Sequence, residues 1–153
     1  MNRNRLRDGG FTLVELMVVV LVIAILIAIA IPSFMGARQR AQDRTAQANL
    51  TTGLKAESAY AAAGNGFTTV AALLQAEEPS LDWTGVADDS IHVVVGDVVP
   101  GDAAQVLLYS RSNTGTWFGL RRVVAGAGAG RYTCSGVAEA NVDELTDCTG
   151  SVW

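Results

Sequence analysis

Residues Phe11 to Ile31 form a run of 21 residues that is apolar except for Thr12 and Glu15. As an α-helix the run is about 31 Å long, the thickness of a bilayer core. Glu15 is its only charge. An ionised carboxylate inside a membrane segment costs about 2.5–3.5 kcal/mol even on lenient insertion scales. A purely anchoring helix has no use for one, so the glutamate requires a partner.

The residues in front of the run point to that partner. Met1 to Gly10 is short and basic, with Arg3, Arg5 and Arg7 against Asp8. A secretory signal peptide is cut after its apolar core, at small residues. Here the small residues Gly9 and Gly10 stand before the core, and no Ala-x-Ala pattern follows it. Cleavage at Gly10 leaves the apolar segment on the mature chain and creates an α-amino group on Phe11, one helical turn from Glu15. A cation at the helix start and an anion one turn in are natural partners, within one chain or between neighbours. Between chains the pairing sets the axial register of a helical assembly.

With Gly10-Phe11-Thr12-Leu13-Val14-Glu15, the basic leader, the apolar helix and Pro32 after it, the chain resembles the type IV pilin family in the broad sense that includes type II secretion pseudopilins. The resemblance covers about the first 35 residues. It implies cleavage between Gly10 and Phe11 by a membrane aspartyl peptidase, N-methylation of Phe11, and Glu15 as the filament-assembly residue. The chain departs from many members in one respect: Val20 to Ile31 contains no helix-loosening glycine.

Length and charge bound the rest. With 153 residues the chain holds one small domain and an anchor. A leader with three arginines and one aspartate, once removed, takes the formal net charge from −4 to −6. An acidic mature chain argues against direct nucleic-acid binding, which ordinarily uses a basic face. The leader arginines place the N-terminus in the cytoplasm and the C-terminal part outside, by the positive-inside rule. Cys134 and Cys148 are the only cysteines and fall in the outer part, so they read as one disulfide. Many type IV pilins close a C-terminal loop with such a pair, whereas major pseudopilins generally lack it.

Along the chain the expected fold class is α+β, and the resemblance implies the pilin lollipop. A transmembrane or filament-core helix over 11–31 follows the leader of 1–10. Its outer half, 32–63, is rich in Ala, Gln and Arg. Pro32 removes a backbone donor and is expected to kink the helix. Ala46, Leu50, Leu54 and Ala61 share one helical face, with Glu57 interrupting the stripe. Gly64-Asn65-Gly66 supplies the stop. A connector over 64–90 contains a short helix, Val70 to Ala76, with Thr69 as its cap. The segment 91–153 holds an antiparallel sheet of three to four strands and a disulfide-closed loop. The strands are Ile91 to Val95, Gln105 to Tyr109, Thr116 to Val124 and Arg131 to Cys134. Turns at Pro100-Gly101-Asp102 and Ser112 to Gly115 and a glycine-rich tip at Gly126 to Gly130 separate them. Such a sheet needs a packing face, which the outer half of the helix offers.

Catalytic chemistry is missing from this pattern. His92 is the single histidine and sits in an apolar strand. Two cysteines and one histidine make no zinc pattern. Asp88, Asp89, Asp97 and Asp102 read as solvated loop acids rather than as calcium ligands. Asn49-Leu50-Thr51 matches a glycosylation sequon but lies mid-helix. No enzyme activity, cofactor or metal is expected. The expected product is a structural subunit of a type IV pilus, a single-pass membrane protein that later joins an extracellular filament. Its partners would be further copies of itself, minor pilins, the prepilin peptidase and methyltransferase, the assembly platform with its ATPase, and the membrane. A pseudopilin of a secretion or DNA-uptake system is the alternative within the family. A membrane-anchored extracytoplasmic binding domain is the alternative from another class.

Overall fold

A computed structural model describes residues 10–97, 104–124, 128–150 and 153. The leader residues 1–9, the turn expected at Pro100-Gly101-Asp102 and part of the glycine-rich tip lie outside the described residues. The chain divides into two units, Met1–Arg38 and Gln39–Trp153.

Among its described residues the first unit is helical from Leu13 onward. Helix α1, Leu13–Tyr60, begins here and runs through Pro32. Every residue from Gly10 to Met35 is exposed in the single chain, so the apolar run finds no covering surface within its own unit. Proline carries no N–H, and the carbonyl of Ala28, four residues back, therefore loses its ordinary helical donor.

The second unit is an α+β layer structure. Its part of α1 places Ala46, Leu50, Gly53, Leu54, Ala56 and Glu57 inward. Alanine and leucine at three- and four-residue spacing form the stripe that a sheet can cover. Gly53 sits mid-helix for a spatial reason: a Cβ there would lie 2.9 Å from Ile91 Cδ1 and 3.2 Å from Trp83 Cη2. The helix ends in a wide turn, Ala61–Asn65, where Gly64 takes φ 90°, and Gly66 follows it at φ 73°. The left-handed region is open to glycine at little steric cost.

Helix α2 spans Ala71–Glu77, one residue later than the sequence predicts. Thr69 does not cap it. Val70 holds the cap position, and Thr68 Oγ1 instead accepts the Val70 N–H at 3.1 Å. Thr68 thus forms a short local turn that competes with an orthodox cap.

Four strands follow: β1 His92–Asp97, β2 Ala104–Arg111, β3 Trp117–Val123 and β4 Gly130–Gly136. They form an antiparallel meander in the order β1-β2-β3-β4. Alternation along β2 sends Val106 and Leu108 to the α1 side and Leu107 and Tyr109 to the other. On the α1 side the core comprises the helix stripe, Leu74, Leu81, Trp83, Ile91, Phe118 and Leu120. On the other side Val142, Leu145 and Cys148 of the C-terminal loop, residues 137–150, cover Leu107 and Tyr109. The sheet is therefore buried on both faces, and a bridge between Thr133 and Gly150 fixes the far end of the loop.

The β2–β3 turn is tied to the helix by one carboxylate. Asp43 Oδ1 accepts hydroxyl hydrogen bonds from Ser112 Oγ at 2.7 Å and Thr114 Oγ1 at 2.5 Å.

Candidate assembly site at the helix N-terminus

Thr12 opens helix α1. Its Oγ1 accepts the backbone N–H of Glu15 at 3.2 Å, and its carbonyl accepts the N–H of Leu16 at 3.2 Å. An N-cap hydroxyl satisfies one of the four N–H groups that a helix start leaves without intrahelical partners. Thr12 and Glu15 are the first and last members of a T-x-x-E spacing, the pattern of a capping box. The sequence reading passed over Thr12, although this spacing was available to find it.

Glu15 stands in the first turn and is exposed. There the helix dipole favours an anion by about 0.3–1 kcal/mol. That is several-fold less than the cost of a carboxylate in hydrocarbon. The cap and the dipole orient Glu15 without supplying the cation that a carboxylate in hydrocarbon would need. Gly10 and Phe11 precede the helix and are exposed, Phe11 by 81%. Nothing lies within 4 Å of the position a Gly10 Cβ would occupy. A demand for glycine at this position has no source in the described residues of the chain.

The remaining expected residues lie elsewhere. Pro32 is inside α1, well beyond its first turn. Cys134 on β4 and Cys148 in the C-terminal loop are bonded, with their Cα atoms 4.5 Å apart. Gly119, paired with Cys134 in register, makes room for the bond. A Cβ on Gly119 would lie 2.8 Å from Cys148 Sγ and closer still to Cys134 Sγ.

Other polar groups have structural surroundings. His92 stacks on Tyr109 with ring centroids 4.5 Å apart, and Trp117 meets it edge-on at 5.8 Å. Burial lowers the His92 pKa, and nearby Glu139 partly opposes this. Asp88 pairs with Arg111 at 3.2 Å, and Asp89 accepts from Asn113. The Asp97 side chain and Asp102 lie outside the described residues, so the four loop acids are not seen as a set. Asn49 donates to the carbonyl of Asp89 at 3.4 Å.

Glu57 is the exception. Its carboxylate is fully buried, and Oε2 accepts the Thr68 N–H at 3.2 Å. Oε1 has no partner among the described residues. Burial raises its pKa from 4.5 to about 7, against the opposing effect of the Thr68 hydrogen bond.

Comparison with known proteins finds the prokaryotic N-terminal methylation motif at residues 5–31. A curated relative, the type IV wide pilus major component PilA4 of Thermus thermophilus, is 42% identical over 65 residues. The alignment covers 42% of this chain and spans half the length of the relative. No solved structure matches the chain.

Proposed function

We propose, from the type IV pilin family that the methylation motif and the pilus relative support for this chain, that it is a structural subunit of a type IV pilus filament. The observation that carries this reading is the conjunction at one helix start. A methylation motif overlies the exposed apolar segment of α1, residues 13–31, whose only charge sits in the first turn beneath a threonine cap.

The leader, residues 1–10, is removed between Gly10 and Phe11 by a prepilin peptidase, and the amine of Phe11 is methylated. The open space around Gly10 supports access to the backbone there. The glycine serves the peptidase rather than the fold. The new amine lies within reach of Glu15 carboxylates and supplies the missing cation. Glu15 pairs with it as subunits enter the filament.

Phe11 to Ile31 is first solvated by lipid, with the leader in the cytoplasm and the sheet unit outside. It then bundles with the same segment of other subunits. Lipid and bundle are similarly apolar, so hydrophobic transfer alone provides little drive for extraction. The work comes from an assembly platform with its ATPase. Pro32 frees a carbonyl in α1 and lets the helix bend as it changes surroundings. The role is structural rather than enzymatic. The cysteine pair and the relative's pilus assignment favour a pilus over a pseudopilus.

Co-expression with a prepilin peptidase and assembly machinery tests the reading. The mature protein should begin at a methylated Phe11 and appear as the subunit of sheared surface filaments by electron microscopy and mass spectrometry. Filaments confined to the periplasm would move the chain to the pseudopilins. An uncleaved Met1 in the presence of active peptidase would refute both.

A further inference from the structure

The cations of the sheet unit are unevenly spread along its sequence. No Lys or Arg occurs between Lys55 and Arg111, and none follows Arg131. In the folded sheet unit three of the cations converge. Arg122 on β3 and Arg131 on β4 are direct cross-strand partners. Lys55 on α1 joins them around a cleft of about 320 Å³, with Thr51 and Ser58 among its walls. All three cations are exposed. Like charges directly opposite on neighbouring strands destabilise a sheet. Among the described residues the only ion pair is Arg111–Asp88, so no carboxylate compensates this one.

The opposite face of the same sheet has the opposite sign. There the C-terminal loop carries Glu139, Asp143, Glu144 and Asp147 and no cation. Glu139 and Glu144 are exposed, and Asp143 and Asp147 half-exposed. Arg121 also lies on this side but is occupied. Its guanidinium sits 5.2 Å from the Tyr132 ring centre, and it donates to Gln105 Oε1 at 2.9 Å and the Cys148 carbonyl at 3.5 Å. The proximity of Glu139 and Asp143 contributes to raising the Tyr109 pKa, behind burial.

We propose that these two faces are the two halves of a contact between copies of this chain: the Lys55–Arg122–Arg131 cleft of one subunit seats the acidic C-terminal loop of the next. This rests on the filament reading. Subunits with a net charge of −6 after leader removal repel one another unless their charge is partitioned, and complementary patches steer and orient such an encounter. Because the halves lie on opposite faces of one sheet, the contact is head-to-tail. A head-to-tail contact leaves a free half at each end and propagates into an open array if its rotation does not close. Unlike burial of the apolar helix, it should weaken as salt screens exposed charges.

The test uses the full chain in a host with assembly machinery, carrying a photoreactive benzoylphenylalanine in place of Thr51, which lines the cleft without contributing charge. Irradiation should join this position to residues 137–150 of another copy, with a yield that falls severalfold as salt is raised. R122E/R131E should lower that crosslink and the filament yield at least tenfold, as should D143K/E144K. Combining all four changes should restore both to within a few-fold of wild type. Crosslinks to lipid, to another protein or to another region overturn the proposal. So does an R122E/R131E chain that crosslinks and assembles like wild type. Protection of Cys134 and Cys148 from a thiol label verifies the fold of each variant, and R131E alone or E144K alone replaces the double variant of its own side that fails it. A wild-type chain that crosslinks without making filaments leaves this contact standing and removes the filament reading. Filaments without the crosslink do the reverse.

Discussion

Replacing Glu57 with glutamine should change how the stability of the sheet unit depends on pH. In the fold the carboxyl is fully buried, and its pKa is raised by burial to about 7. In the unfolded chain it returns to an ordinary value near 4.5. Between those values the native state holds a proton that the unfolded state has released, so stability falls as pH rises. The Glu57 contribution is therefore fully present below pH 4.5 and lost by the time pH has passed through 7. Each pH unit of that interval is worth about 1.4 kcal/mol, which makes the whole loss about 3 kcal/mol. Glu57→Gln keeps an oxygen for the Thr68 N–H and cannot ionise. It should match wild type near pH 4.5 and exceed it by up to about 3 kcal/mol at pH 8. Urea unfolding of residues 39–153 at a series of pH values measures this. Asp82, lowered by its hydrogen bonds to Thr84, and Asp89, raised chiefly by burial, also titrate in the wild type. The difference between the two proteins isolates Glu57 from both. Parallel stability profiles for the two proteins from pH 5 to 8 would refute the reasoning.

Three further outcomes are expected. Glu15→Ala should insert and be cleaved normally, yet lose filaments when it is the sole subunit, because an unpaired buried charge costs about 3–5 kcal/mol. Glu15→Gln should do nearly as badly, and wild-type assembly by it, scored on sheared filaments, would remove the charge-pair account. Gly119→Ala pushes a methyl into the Cys134–Cys148 bond and should cost about 1–3 kcal/mol by denaturant midpoint, with slower oxidation of the pair. Asp43→Ala deprives Ser112 and Thr114 of their shared acceptor and should cost about 1–3 kcal/mol, with hydrogen exchange accelerated at the β2–β3 turn.

Local order was legible wherever the physics is local. Three runs rich in Val, Leu, Ile and aromatic residues and the short segment Arg131 to Cys134 became four strands, each bound within two residues of the expected one. The helix stop at Gly64 to Gly66 followed from the steric freedom of glycine at positive φ. The expected Thr69 cap of α2 is absent, because the path of the chain puts Val70 at the cap position and turns the Val70 N–H to Thr68 Oγ1. Glu57 was visible as a break in an apolar stripe, but a break in a stripe carries no burial value. Thr12 was overlooked beside the more conspicuous glutamate.

By itself the sequence determined that residues 11–31 would form an apolar helical segment with a lone charge near its head. It also determined that a small sheet in the C-terminal part would need a helix to cover it. Both follow from residue-by-residue solvation and periodicity. Only the tertiary structure decided what covers the second face of the sheet. The run Gln105 to Tyr109 is apolar on both sides, and its far side is closed by Val142, Leu145 and Cys148, some forty residues away. The structure also decided that Arg122 and Arg131 would stand opposite one another with Lys55 beside them, while the acids of the C-terminal loop lie on the other face. Strand register and loop docking set those neighbours, and they come from the sum of many weak long-range contacts rather than from any local pattern.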